Sequence, residues 1–220
     1  MKKGIRTSRS VSLLAATGVA AFGLVAASSL ELPLQLSAQR AQLYDDTRSD
    51  PSSGAGSSNR IHLTRLDAKA SRGNAFLIEV QSLLKVDQAL GYGQFEWDEE
   101  GAPPGEVSVH VDLRTQLISV FQGGHEIGTA VILYGAESHM TPLGSFPVIE
   151  KNRDYHSRTY DAPMPYSLRM TSDGVAIHGS DIRRGSATHG CVGVPLEFAS
   201  LLFARIKEGD IVHIVHSSGS

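Results

Sequence analysis

The chain has 220 residues, of which 41% are hydrophobic and 20% charged, a globular composition sufficient for one ordinary domain plus an appendage. Aromatics are 6%, the formal net charge is -3 and the basic residues are not clustered, so a nucleic-acid partner is not expected. One cysteine excludes an internal disulfide framework and a thiolate zinc cluster, while nine histidines keep a histidine metal site open.

Lys2, Lys3, Arg6 and Arg9 precede an uncharged stretch, residues 11–30, rich in Ala and Leu. A basic start, an apolar middle and small residues after it describe a secretory signal, with Val25-Ala26-Ala27 as a cleavage site. As a helix of ~1.5 Å rise per residue the same stretch is long enough to cross a ~30 Å hydrocarbon layer, so a retained anchor with a cytoplasmic N-terminus is the second reading. Either way residues 1–30 contact a membrane at least transiently, and the rest is exported, as a released or a membrane-anchored domain. Without those residues 16 basic side chains face 23 acidic ones, a net charge of -7. Thiols tend to be oxidised in exported compartments, so a lone cysteine there asks for a chemical explanation.

Residues 31–60 read as a flexible linker, most clearly in the small polar run DDTRSDPSSGAGSSNR at 45–60. Residues 61–105 form an N-terminal extension. Phe76, Val80, Leu83, Leu84 and Leu90 recur at near-helical spacing and predict a short amphipathic helix. Glu96, Asp98, Glu99 and Glu100 predict a solvated loop, closed by Pro103-Pro104-Gly105.

From residue 106 to 216 the pattern is β. Val107, Val109, Val111 and Leu113 alternate with Ser108, His110 and Asp112, which puts His110 on an exposed polar face. A second strand is predicted over 117–122, a turn at Gly123-Gly124 and a third strand over 127–134. Shorter strands are predicted over 145–150, 175–178 and 210–215. One late helix begins near Pro195, carries Glu197 in its first turn and an apolar stripe of Leu201, Leu202 and Ile206, and stops at Gly209. The expected fold class is mainly β (α+β): a sandwich or barrel-like domain with one late helix.

The chemistry concentrates between Ile177 and Val192. His178 ends a predicted strand, and Cys191 follows Gly190 in a tight turn before the helix. Nucleophilic catalysis by cysteine needs a base and donors for the oxyanion; His178 offers the first, and backbone N–H groups around Gly190 and Cys191 offer the second. A neighbouring imidazolium would lower the thiol pKa. On spacing alone two readings stand: a nucleophile, or a small buried hydrophobe. The histidines of this half, among them His110, His125, His139, His156, His178 and His189, show no HExxH-like spacing, so no metal and no cofactor is assigned.

Ile177-His178-Gly179 followed by Thr188-His189-Gly190-Cys191-Val192 resembles the signature of the L,D-transpeptidase catalytic domain, the YkuD-like family. Tyr134-Gly135, Thr141-Pro142-Leu143-Gly144-Ser145-Phe146 and the closing Gly209-Asp210-Ile211-Val212 are similar to further family stretches, so the resemblance covers roughly residues 106–215. It implies a β-sandwich with the cysteine in a cleft beneath a mobile loop, here within residues 152–170 and lined by His156, Tyr160, Met164 and Tyr166. It implies that Cys191 attacks a peptidoglycan stem peptide before its terminal D-alanine, that His178 is the base and that the Gly179 carbonyl orients the imidazole. It assigns the oxyanion to the Gly190 and Cys191 N–H groups and the shaping of the turn to His189 and Thr188. Acceptor chemistry stays open among an amine, which gives a 3→3 cross-link, water, which gives a carboxypeptidase, and an amine of a membrane lipoprotein. Donor and acceptor stem peptides are the implied partners, and a monomer is expected.

One departure stands out. The family usually carries arginine or asparagine after His-Gly-Cys-Val, and this chain has Gly193. An arginine offers a bidentate fork to a carboxylate, and glycine offers only backbone. Arg183 and Arg184 in the preceding loop are the candidates to replace that charge, against the reading of a solvated loop. The glycine also motivates a rival from another class, a peptidoglycan-binding module with a degenerate site.

Overall fold

The apolar alternation read from residue 107 onward builds the central strands. In a computed structural model describing residues 59–63 and 79–217, β4 (Val107–Asp112), β5 (Leu117–Gln122) and β6 (His125–Val131) form an antiparallel meander. Val109 lies opposite Val120 and Val111 opposite Ile118, all four buried. The 1–30 segment and most of the linker fall outside the described residues. No helix among the described residues is long and apolar enough to cross a membrane.

The larger sheet has eight strands. β1 (Arg60–His62), β2 (Ser82–Leu84), β6, β5, β4, β12 (Ile211–Val215) and β7 (Gly144–Pro147) follow one another, and β3 (Phe95–Trp97) also pairs with β6. The C-terminal β12 inserts parallel to β4 and antiparallel to β7. The smaller sheet runs β11 (Val192–Val194), β10 (Ala176–Gly179), β9 (Ala162–Arg169), β8 (Glu150–Ser157). Helix α1 (Leu196–Arg205) packs on β9 and β10 and buries Phe198, Ala199 and Leu202. These side chains join Val109, Ile118, Ile127, Ile177, Val192 and Ile214 in one core, where each buried Leu or Ile is worth about 1.5–3 kcal/mol. The expected fold class, a mainly β domain with one late helix, is the observed one.

Four local expectations are corrected. First, residues 79–90 hold no helix: Ser82–Leu84 is strand β2, paired with β1 and touching β6 at Ser82–His125, while Phe76 lies outside the described residues. The apolar residues there pack on the sheet, Val80 and Leu83 against Phe121, so tertiary pairing overrides the helical spacing. Second, the acidic run is not a free loop. Glu96 lies within β3, Glu99 accepts from Trp97 Nε1 at 2.9 Å and pairs with Arg205, and the carbonyls of Asp98 and Glu100 accept from the buried guanidinium of Arg60. A third bond, Arg60 Nη1 to the Glu126 carbonyl at 2.6 Å, ties the extension to β6.

Third, His110 is buried, 5% exposed, with its ring 5.5 Å from Phe121 and 4.8 Å from His213. The face expected to meet water carries Phe121 and its cluster instead. Fourth, α1 ends at Arg205, four residues before Gly209. Lys151 Nζ on β8 donates to the carbonyls of Phe203 and Ile206, which satisfies the helix end early.

Candidate active site

Two parallel strands normally need a crossover of a dozen or more residues, usually a helix. Here β10 and β11 are parallel neighbours, with Ile177 opposite Val192 and His178 opposite Gly193, and they are joined by residues 180–191 without one. That connection must loop out and return, and its return brings Cys191 to the start of β11. Gly190 takes φ +108, a left-handed conformation that side chains disfavour, immediately before the cysteine.

The turn is held from its other side by residues 133–136. Leu133 and Gly193 exchange two backbone hydrogen bonds of 2.9 Å, Thr188 N–H donates to the Tyr134 carbonyl, and Ala136 N–H donates to the Thr188 carbonyl. The Thr188 hydroxyl donates to the Cys191 carbonyl at 2.5 Å. Approach is close enough that a Cβ on Gly135 would stand 1.9 Å from the His139 carbonyl oxygen and 2.9 Å from the Gly190 Cα. The cysteine turn is thereby clamped between the two sheets.

His178 sits on β10 and is buried. Its Nδ1 lies 3.0 Å from the Gly179 carbonyl oxygen and 3.2 Å from the Ser180 hydroxyl. A carbonyl only accepts, so the bond to Gly179 requires a proton on Nδ1 and leaves the lone pair on Nε2. Cys191 is partly buried, accepts the Ala176 N–H at sulfur, and its thiol lies 3.8 Å from the Gly174 carbonyl oxygen. In strand spacings, a diagonal step from residue 191 to residue 178 places their Cα atoms roughly 8 Å apart.

The electrostatics depart from the expected imidazolium-assisted thiolate. Burial pushes the Cys191 thiol up, the Ala176 N–H opposes that shift, and the Asp173 carboxylate adds to it. Burial pulls His178 down against the opposing bond to Gly179. Both shifts favour the neutral partner, so the resting pair is thiol and imidazole. One consequence concerns Asp173. Asp173→Asn removes a negative charge near the sulfur and is expected to speed iodoacetamide alkylation of Cys191 at pH 7.5 roughly threefold at low salt, with the gain shrinking at high salt. An unchanged rate would show that the carboxylate does not reach the thiol.

The remaining candidate residues are placed as follows. His189 is exposed at the turn, its ring stacked on Tyr160 at 4.3 Å and edge-on to His139 at 5.4 Å. Residues 152–170, expected as a mobile loop, form most of the β8–β9 hairpin, which carries Tyr160 at its tip. Its β9 strand carries Pro163 and Pro165 in the half that pairs with β8 alone. His156 is exposed, and its Nε2 lies 2.9 Å from Asp161 Oδ1 across the same tip. Met164 is buried, and the Tyr166 ring packs 5.7 Å from Phe203 of α1, beneath the Arg153 guanidinium. Arg183 is exposed and paired with Asp181, and Arg184 is exposed in the same loop. Ser180 and Asp173 were not singled out in the sequence. Ser180 was within reach of it, since two residues beyond His178 returns to the same strand face; no pattern points to Asp173.

Residues 106–214 match the family model YkuD, described as the L,D-transpeptidase catalytic domain. They belong to that family. The chain is 26% identical over 134 residues to L,D-transpeptidase 1 of Mycobacterium tuberculosis, an alignment covering 53% of each protein, so it spans about half the length of the curated relatives it matches. Among solved structures it is similar to an L,D-transpeptidase from Stackebrandtia nassauensis, with 22% identity, TM-score 0.48, and 54% of this chain and 60% of that one covered. It is also similar to a mutant L,D-transpeptidase from Enterococcus faecium, with 24% identity, TM-score 0.46 and 50% of each chain covered. The catalytic-domain match begins at the first residue of the predicted β region and ends within β12.

Proposed function

We propose that this chain is an exported L,D-transpeptidase, a cysteine acyltransferase acting on peptidoglycan stem peptides. The observation that carries the reading is the turn at Cys191, set beside a histidine whose Nδ1 is committed to a backbone carbonyl. Membership of the YkuD family supports the reaction class.

The Cys191 thiol attacks the carbonyl that precedes the terminal D-alanine, and its proton passes to Nε2 of His178. The Gly179 carbonyl holds the imidazole in the required tautomer and stabilises the cation while it exists. The N–H groups of Gly190 and Cys191 receive the oxyanion. Collapse breaks the peptide bond, and D-alanine leaves with the proton from His178. The thioester is then attacked by the side-chain amine of a second stem peptide, which releases the sulfur and leaves a 3→3 cross-link. Thr188 and His189 hold and shape the turn, and Arg183 and Arg184 stand ready for a substrate carboxylate. Residues 1–30 deliver the domain across the inner membrane, either as a cleaved signal or as an anchor, and residues 31–58 link them to the folded domain, whose sheet already includes β1, β2 and β3.

Incubation of the full chain with purified disaccharide-tetrapeptide, with products read by mass spectrometry, tests this. The expected product is a dimer lacking one D-alanine, absent with Cys191→Ala. Tripeptide alone would replace the transferase with a hydrolase, and no reaction with retained binding would leave a binding module.

A further inference from the structure

Gly193, the departure from the family pattern, sits directly opposite His178 in the β10–β11 register. Its space is already used. A Cβ on residue 193 would stand 3.0 Å from the Ser180 hydroxyl oxygen and 3.1 Å from the Ser180 Cβ, with Leu133 closing the other side at 3.5 Å. Ser180 N–H donates to the Val194 carbonyl, which extends the ladder one residue beyond β10 and holds the Ser180 backbone against β11. From that position its hydroxyl reaches 3.2 Å from His178 Nδ1.

We infer that Ser180 is a positioning residue for His178, and that glycine at 193 is what gives it room. The inference rests on the proposed role of His178 as the base. Because the Gly179 carbonyl fixes the proton on Nδ1, the Ser180 oxygen is a second acceptor of the same N–H. Two acceptors on one nitrogen keep the lone pair on Nε2. They also strengthen when the ring becomes cationic, at the moment it has taken the thiol proton. The residue-193 position thus serves the base through its lack of a side chain.

The test uses the full chain and the disaccharide-tetrapeptide assay. Ser180→Ala is expected to lower kcat roughly tenfold with little change in KM, the scale of one hydrogen bond to a transiently charged group. It is also expected to move the acidic limb of the kcat–pH profile to lower pH, because the imidazolium loses an acceptor. Ser180→Thr keeps the hydroxyl and is expected to retain most of the rate. Gly193→Ala, which crowds the hydroxyl off His178, is expected to reproduce the Ser180→Ala profile, and the double variant to fall short of the product of the two single effects. An unmoved acidic limb in Ser180→Ala, or full multiplicativity with Gly193→Ala, overturns the inference while wild-type activity stands. A wild type inactive on this substrate, with Cys191 unreactive to alkylation, overturns instead the reading on which it rests.

Discussion

Cys191→Ala and His178→Ala are each expected to abolish acyl transfer, by at least about 10³-fold, with the combined variant little worse than either alone. The two side chains act as one unit: without the sulfur there is no thioester, and without the imidazole the proton on a thiol held above its ordinary range has nowhere to go. The pH profile follows from the same shifts. His178 must be neutral to accept the proton, and burial lowers its pKa below the usual histidine value of 6.5. Activity is therefore expected to persist below pH 6.5, where an ordinary histidine would be largely protonated, and to fall only as pH drops through the lowered value. Steady-state rates on the tetrapeptide between pH 4.5 and 9 check this. A limb at or above pH 6.5 would show that the resting pair is not neutral.

The second large effect is on stability. Burial, aided by the proximity of His213, lowers the His110 pKa from 6.5 to about 3. The unfolded chain binds a proton below pH 6.5 that the folded chain refuses, so stability is full above that pH and drains as the solution is acidified towards pH 3. At pH 4 the loss from this one ring is about 3 kcal/mol. His110→Phe keeps an aromatic ring against Phe121 and cannot titrate. Urea unfolding at pH 7 and pH 4 is expected to show the wild type losing about 3 kcal/mol more than the variant between the two conditions. Equal losses would mean that the folded ring protonates freely.

What was legible in the sequence followed local pattern. Val107 to Leu113 alternate because one face of β4 meets the core, and the same logic found β5, the Gly123-Gly124 turn and β12. The Thr-His-Gly-Cys string and its upstream His-Gly were legible through their resemblance to a family signature, because spacing alone left Cys191 open between a nucleophile and a small buried hydrophobe. The β8–β9 hairpin was not: Lys151 to His156 is polar throughout, and prolines interrupt the returning strand, so neither shows a period of two. His110 was misplaced because its burial depends on Phe121 of the neighbouring strand and on His213, more than 100 residues away. A single-strand pattern reports which faces differ, and says nothing of what later covers the second one.

Arg60 gives the last consequence. Its guanidinium holds three carbonyls on two different stretches of chain, and Leu84 N–H donates to the buried carboxylate of Glu126 at 2.9 Å. The family-model match begins at residue 106, yet cutting there would strip β1, β2 and β3 from the sheet, bare Phe121 and take from the Glu126 carboxylate its bond from Leu84. The stretch that the family model matches and the stretch that shares one sheet therefore have different borders. The portable unit includes Arg60, and any graft or excision of the domain has to carry that preface with it.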